Sequence, residues 1–193
     1  MFVRNLALAA CCTVLAATGL AQTSGQENGK LERSVAPASQ SAKPLASPAE
    51  TAHVSLNGKD VTIHYNSPRM RERKIIGGLV PYGKVWRTGA NPATTLITST
   101  NLMIGTLNVP AGTYTLYTIP SEQQWLLIVN KQTGQWGTVY KEDQDLGRTP
   151  MTGKTLPNPQ ENMSISFEHT HGATTELHVR WEKTDESVPV KAK

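Results

Sequence analysis

At 193 residues, 38% hydrophobic and 18% charged, the chain has the size of one domain with appendages. That excludes a large two-domain enzyme, and the lack of an internal repeat excludes a solenoid. The formal charge of +4 comes from 19 basic and 15 acidic residues interspersed along the chain, so no concentrated basic face marks a nucleic-acid binder.

The N-terminus comes first. Met1–Asn5 carries one cation, Arg4, and Leu6–Leu20 is apolar and small. Gly19-Leu20-Ala21 then places small residues where a signal peptidase reads them, which predicts a signal peptide over residues 1–21 and export to the periplasm or beyond. Leu8-Ala9-Ala10-Cys11 offers a second processing site, with a lipid anchor on Cys11. Cleavage there leaves an apolar core of only Leu6–Ala10, shorter than the usual ~7–15 residues. After residue 21 no run approaches the ~18–20 apolar residues of a spanning helix, so no transmembrane span is expected in the mature chain. Both cysteines, Cys11 and Cys12, lie in the segment expected to be removed. The mature chain then has no disulfide, no thiol nucleophile and no cysteine metal site. Residues 22–48, rich in Ser, Ala, Pro, Gln and Gly, read as a disordered linker, because they cannot bury enough surface to offset the entropy of ordering.

Residues 49–187 read as one all-β domain, a single antiparallel β-sandwich of jelly-roll-like kind, with a barrel as the alternative. Asn57-Gly58 before Val61–Tyr65 is a hairpin signal. Thr94–Thr100 is β-branched almost throughout, and Thr113–Ile119 alternates. Trp125–Val129 is apolar on both faces, which predicts a central strand. Met163–Phe167 and Leu177–Trp181 alternate and form a C-terminal hairpin through Thr170–Thr174. The one plausible helical turn lies near Pro68–Arg73. Ser67–Trp86 and Tyr140–Glu161 read as long loops, the places to look for a site. Residues 188–193 read as a flexible basic tail.

The segment Ile75–Asn91 (IIGGLVPYGKVWRTGAN) is unusually particular, and with it come Pro110–Leu116, Trp125, Asn130-Lys131 and Trp136-Gly137. Together they resemble the bacterial domain-of-unknown-function-2911 family, from about Val61 to Trp181. The resemblance implies a secreted β-rich domain and carries no mechanism. Where members of that family often have Glu after Gly-Ala-Asn, this chain has Pro92.

The candidate binding residues are Tyr82, Trp86, Arg87 and Asn91. Aromatic faces, a planar five-donor guanidinium and a paired amide suit carboxylates, phosphates or sugar hydroxyls. Arg69, Arg71, Arg73 and Lys74 add positive potential if the loop folds over. The competing interpretation makes Trp86 core, Arg87 a tie between carbonyls, and Thr88–Asn91 a turn with Gly89 at positive φ. His169 and His171, two apart, are half of a possible metal site, completed only if His64, His178 or Glu168 comes close. Alternation places His169 on the core side, so no metal and no cofactor is expected. There is no Gly-x-Ser-x-Gly elbow, no His-Glu-x-x-His and no P-loop. The acids Glu142, Asp143 and Asp145 crowd one polar segment instead of facing a cleft. The function expected is therefore binding of a small anionic or hydroxyl-rich molecule, or an envelope glycan, at a loop pocket around Arg87. The alternatives are a hydrolase or isomerase using His64 or His169 with Arg87 as electrophile, and a structural envelope protein working by edge-strand pairing.

Overall fold

The computed structural model describes residues 46–193. The expected signal peptide, Cys11 and linker residues 22–45 lie outside the described residues. The expected linker's last residues, Ala46–Pro48, are tied to the domain: Pro48 O accepts from Ser67 N at 2.8 Å and Ser47 O from Asn66 Nδ2 at 3.1 Å.

The domain is all β, two antiparallel sheets and, among the described residues, no α-helix. Its strands are β1 Ala49–Leu56, β2 Lys59–Asn66, β3 Thr94–Thr98, β4 Leu102–Ile104, β5 Leu107–Val109, β6 Gly112–Ile119, β7 Leu126–Asn130, β8 Asp145–Pro150, β9 Thr152–His171 and β10 Thr174–Ala192. The larger sheet runs β1-β2-β3-β6-β7-β8 and the smaller β5-β4-β10-β9. Asn57 and Gly58, both at positive φ, form the two-residue turn that pairs Leu56 with Lys59. Alternation then sends Ala52, Val54 and Leu56 of β1, and Val61, Ile63 and Tyr65 of β2, to one face. There they meet Leu96, Leu116, Met163, Ile165, Leu177 and Trp181 in one core between the sheets. β7 is interior to its sheet and is buried on both faces: Leu127 and Val129 join that core, while Ile128 packs with Tyr117 and Ala93 outside it.

Several expectations are corrected. Tyr140–Glu161 is not a loop: it forms a 3-10 turn at Glu142–Gln144, then β8 and the first half of β9. The segment holds three prolines, which its strands tolerate because β8 and β9 are edge strands, where a missing N–H costs no ladder bond. Between the pairs Gln160–Glu182 and Thr155–Thr184, residues 156–159 of β9 face Lys183 alone, and this bulge carries Pro157 and Pro159. Residues 188–193 are not a tail either. β10 runs through Ala192, Val188 and Val190 are buried, and Val190–Ala192 pairs with β4. Here three alternating apolar residues, too few to stand out by period, meet a waiting strand edge. Pro68–Arg73 is a turn with Arg71 and Glu72 at positive φ.

β9 and β10 do not run straight. Register shifts flank Glu182, itself at φ 55°, and the hairpin bends so far that Ala192 N donates to Ala173 O at 2.8 Å. Residues distant along β10 thereby become neighbours.

Candidate functional site

Arg87 leaves the core beside Trp86, whose backbone exchanges two hydrogen bonds with Thr118 of β6, at 2.8 and 2.9 Å. Trp86 is itself core: its ring stacks on Trp181 at 5.8 Å and meets Trp125 edge-on at 6.3 Å. The next four residues turn sharply. Thr88 and Asn91 take left-handed φ of 51° and 59°, a costly conformation for a β-branched residue. The strain is held from several sides. Thr94 Oγ1 donates to Thr88 O at 2.8 Å, Thr88 Oγ1 to Thr118 Oγ1 at 3.2 Å, and Ala90 N to Asn66 O at 3.1 Å. Gly137 N donates to Asn91 O at 3.1 Å, laying the 136–137 segment against the Arg87 stem. A Cβ on Gly137 would stand 1.9 Å from Arg87 Cδ and 2.7 Å from Asn91 O, so only glycine admits this approach.

The guanidinium so positioned is half-buried. Its Nε is buried without a hydrogen-bond partner, and among the described residues no carboxylate pairs with Arg87. Burial lowers its pKa from the ordinary arginine value. It lines a cleft of about 320 Å³ with Arg73, Asn91, Trp86, Trp181 and Leu79, and among the described residues no acid or histidine lines it. Arg73 is fixed there by its own loop, with Nε donating to Met70 O at 2.9 Å and an NH2 group to Arg69 O at 2.8 Å.

Of the four expected binding residues, the fold gathers Trp86, Arg87 and Asn91. Tyr82 lies elsewhere. Its ring packs on Gly77 and lines a separate cleft of about 340 Å³ with Lys154, Lys183 and Glu186. Trp86 has one face covered by Trp181, so it offers a cleft wall and not an open platform. Among the described residues Arg87 Nε has no partner, so it ties no carbonyl, while Gly89 takes the expected positive φ, at 159°, between the left-handed Thr88 and Asn91. His64 on β2 hydrogen-bonds Thr51 at 3.0 Å, and neither it nor His169 lines the Arg87 cleft.

A polar cluster on β9 and β10 joins His169, His178 and Glu168, which the sequence offered as possible ligands, to Glu176, Arg180 and Asp185, which it did not single out. His178 is buried, with Nδ1 2.7 Å from Asp185 Oδ1 and Nε2 3.3 Å from Glu176 Oε2. Arg180 forms a double contact with Glu168 and lies 3.0 Å from Asp185 Oδ2, with an NH2 group 3.2 Å from His178 Nδ1. The Arg180 hydrogen bond is the main cause holding the Glu168 carboxyl down at about 2. Beside it, Glu186 is buried with Oε2 unpartnered, and burial first, then the Asp185 charge, pushes its pKa up to about 7. Alternation alone assigns His178 to the solvent face opposite Leu177 and Val179; the bend at Glu182 buries it instead.

No curated protein and no solved structure matches the chain. A family model described as "Protein of unknown function (DUF2911)" matches residues 47–190, a span that holds the Arg87 turn, its Gly137 contact and the bent hairpin, and the chain belongs to that family.

Proposed function

We propose that the domain binds a small anionic ligand, with carboxylate or phosphate as the anchoring group, in the Arg87 cleft. Arg87 is the bidentate donor, Asn91 a hydrogen-bonding neighbour, and Trp86 with Trp181 the apolar wall. One observation carries this reading: a half-buried guanidinium with an unpartnered Nε, beside a second arginine, in a cleft that no carboxylate among the described residues lines. An unpaired buried cation is costly, and an anion supplied from outside removes that cost. The strained Thr88–Asn91 turn supports a preorganised site. The cleft's lack of a titratable base favours binding over hydrolysis or isomerisation. If the expected signal peptide is processed, binding takes place outside the cytoplasm, and a hydroxyl-rich or glycan portion of the ligand fits the aromatic wall.

Thermal unfolding of the full chain with a panel of organic acids, phosphates and acidic cell-wall sugars tests this. A ligand at 100 times its Kd adds about 2.7 kcal/mol, several degrees for a domain of this size. The expected result is that one anion class stabilises the wild type while Arg87→Met, which keeps the stem against Gly137, stays folded and indifferent. Indifference of the wild type to every class, or an equal response of Arg87→Met, overturns the reading.

A further inference from the structure

The bend in β10 has a second product, at some remove from Arg87. His169 Nδ1, Glu176 Oε2 and His178 Nε2 converge, with the ligand atoms within 4.8 Å of one another. His169 lies 3.4 Å and His178 3.3 Å from the same Glu176 oxygen. We propose that these three side chains form a divalent transition-metal site of zinc type.

Three observations carry this beyond simple proximity. The first is spacing. With metal–ligand bonds of about 2.0–2.2 Å in tetrahedral arrangement, neighbouring ligand atoms stand about 3.3–3.6 Å apart. The two measured separations fall at that edge length.

The second is orientation. His178 is almost wholly buried, and its Nδ1 lies 2.7 Å from Asp185 Oδ1 and 3.2 Å from an Arg180 NH2 group. Its Nε2 faces the Glu176 carboxylate at 3.3 Å, a gap that either an N–H proton or a metal ion bridges. The carboxylate–histidine arrangement behind Nε2 is the one that fixes the tautomer and ring direction of metal-binding histidines. His169 reaches the same point only because its backbone takes φ 52° beside the register shift between Thr174 and Glu176. That irregularity breaks the alternation that would have paired it with His171. Its ring stands edge-on to His178 at 6.2 Å.

The third is charge. Glu168, Glu176 and Asp185 surround His178, and Arg180 is the one guanidinium paired among them. The carboxylates outnumber that guanidinium by two, an imbalance that a divalent cation offsets. Glu168 is 3.9 Å from His178 Nε2 but is held by Arg180, so it stands behind the ligands rather than among them. Two histidines and a carboxylate leave a fourth position for water or a bound molecule. His169 and Glu176 also line a cleft of about 300 Å³ with Met103 and Lys191, which gives that position access.

The test is calorimetric titration of chelator-treated full chain with Zn²⁺, repeated with Co²⁺ under visible absorption. Wild type is expected to bind one Zn²⁺ per chain and to give the strong visible bands of four-coordinate Co²⁺. His169→Ala and Glu176→Gln, which touch exposed or half-exposed side chains and spare the core, are expected to lose at least about tenfold in affinity and to lose those bands. His171→Ala, in the same hairpin but outside the cluster, is expected to bind as wild type. The proposal fails if no stoichiometric Zn²⁺ binds. It fails equally if the first two variants bind unchanged, or if His171→Ala weakens binding as much as they do.

Discussion

Among the described residues, the fold around Arg87 brings two guanidiniums to one cleft and supplies no carboxylate, whereas around His178 it brings three carboxylates to two imidazoles and supplies one guanidinium. The backbone that makes them differs in kind. The first site rests on a short turn with two left-handed residues, clamped by neighbouring strands; the second rests on a long hairpin bent until distant positions meet. In each, local charge is left uncompensated by the protein alone, with opposite sign. Stability and binding should therefore respond oppositely in the two places: the His178 network is interlocked and costly to break, while Arg87 contributes little to the folded state it sits in.

The largest effect is expected at Asp185→Ala, which strips His178 Nδ1 and Arg180 of a buried partner. Breaking such a pair costs about 3–5 kcal/mol, read as a lower urea midpoint with unchanged slope. Next comes Gly137→Ala. Its methyl must displace Arg87 Cδ or the Asn91 carbonyl, so a loss of about 1–3 kcal/mol is expected together with loss of anion-dependent stabilisation.

Glu186→Gln should act in the opposite direction at alkaline pH. The folded carboxyl holds its proton to about 7, above the ordinary 4.5, so the native state binds more protons than the unfolded chain between those values. Wild-type stability must then fall as pH rises through this window, by about 1–3 kcal/mol, and the variant should be flatter from pH 5 to 8. A wild-type curve that rises over the same range in parallel with the variant contradicts this burial effect. Arg87→Met is the smallest: within about 1 kcal/mol of wild type, or slightly stabilised, because Nε has no partner and no ion pair to Arg87 is made among the described residues. A loss there as large as at Asp185 would erase the contrast between the two regions.

How much of this was legible beforehand depends on which physical signal each segment carries. β2, β3 and β6 were readable because their residues alternate or are β-branched, β7 because its run is apolar on both faces, and the Asn57-Gly58 turn because its residues accept positive φ. The first half of β9 was not, because Pro157 and Pro159 argue locally against a strand and only the edge position and bulge make them harmless. Arg87 and Asn91 were found through the oddity of their segment. Tyr82 was grouped with them by sequence proximity, yet the turn at Gly77 directs its ring to another cleft. His178 and Asp185 are seven apart on one strand, about 23 Å if it were straight. No period reports a bend whose cause is the positive φ of a glutamate.

The bulge that interrupts β9 has a further consequence, for how molecules of this protein meet one another. β9 is the longest strand and lies at a sheet edge, where a flat run of free N–H and C=O groups invites a second chain to add its own strand. Pro157 and Pro159 remove two of those donors in mid-strand, and the four-against-one offset turns the rest out of line. Two copies meeting at this edge would find no continuous ladder. In this form the chain is guarded against stacking into fibres along this edge, and an assembly built by strand addition would have to use a different one.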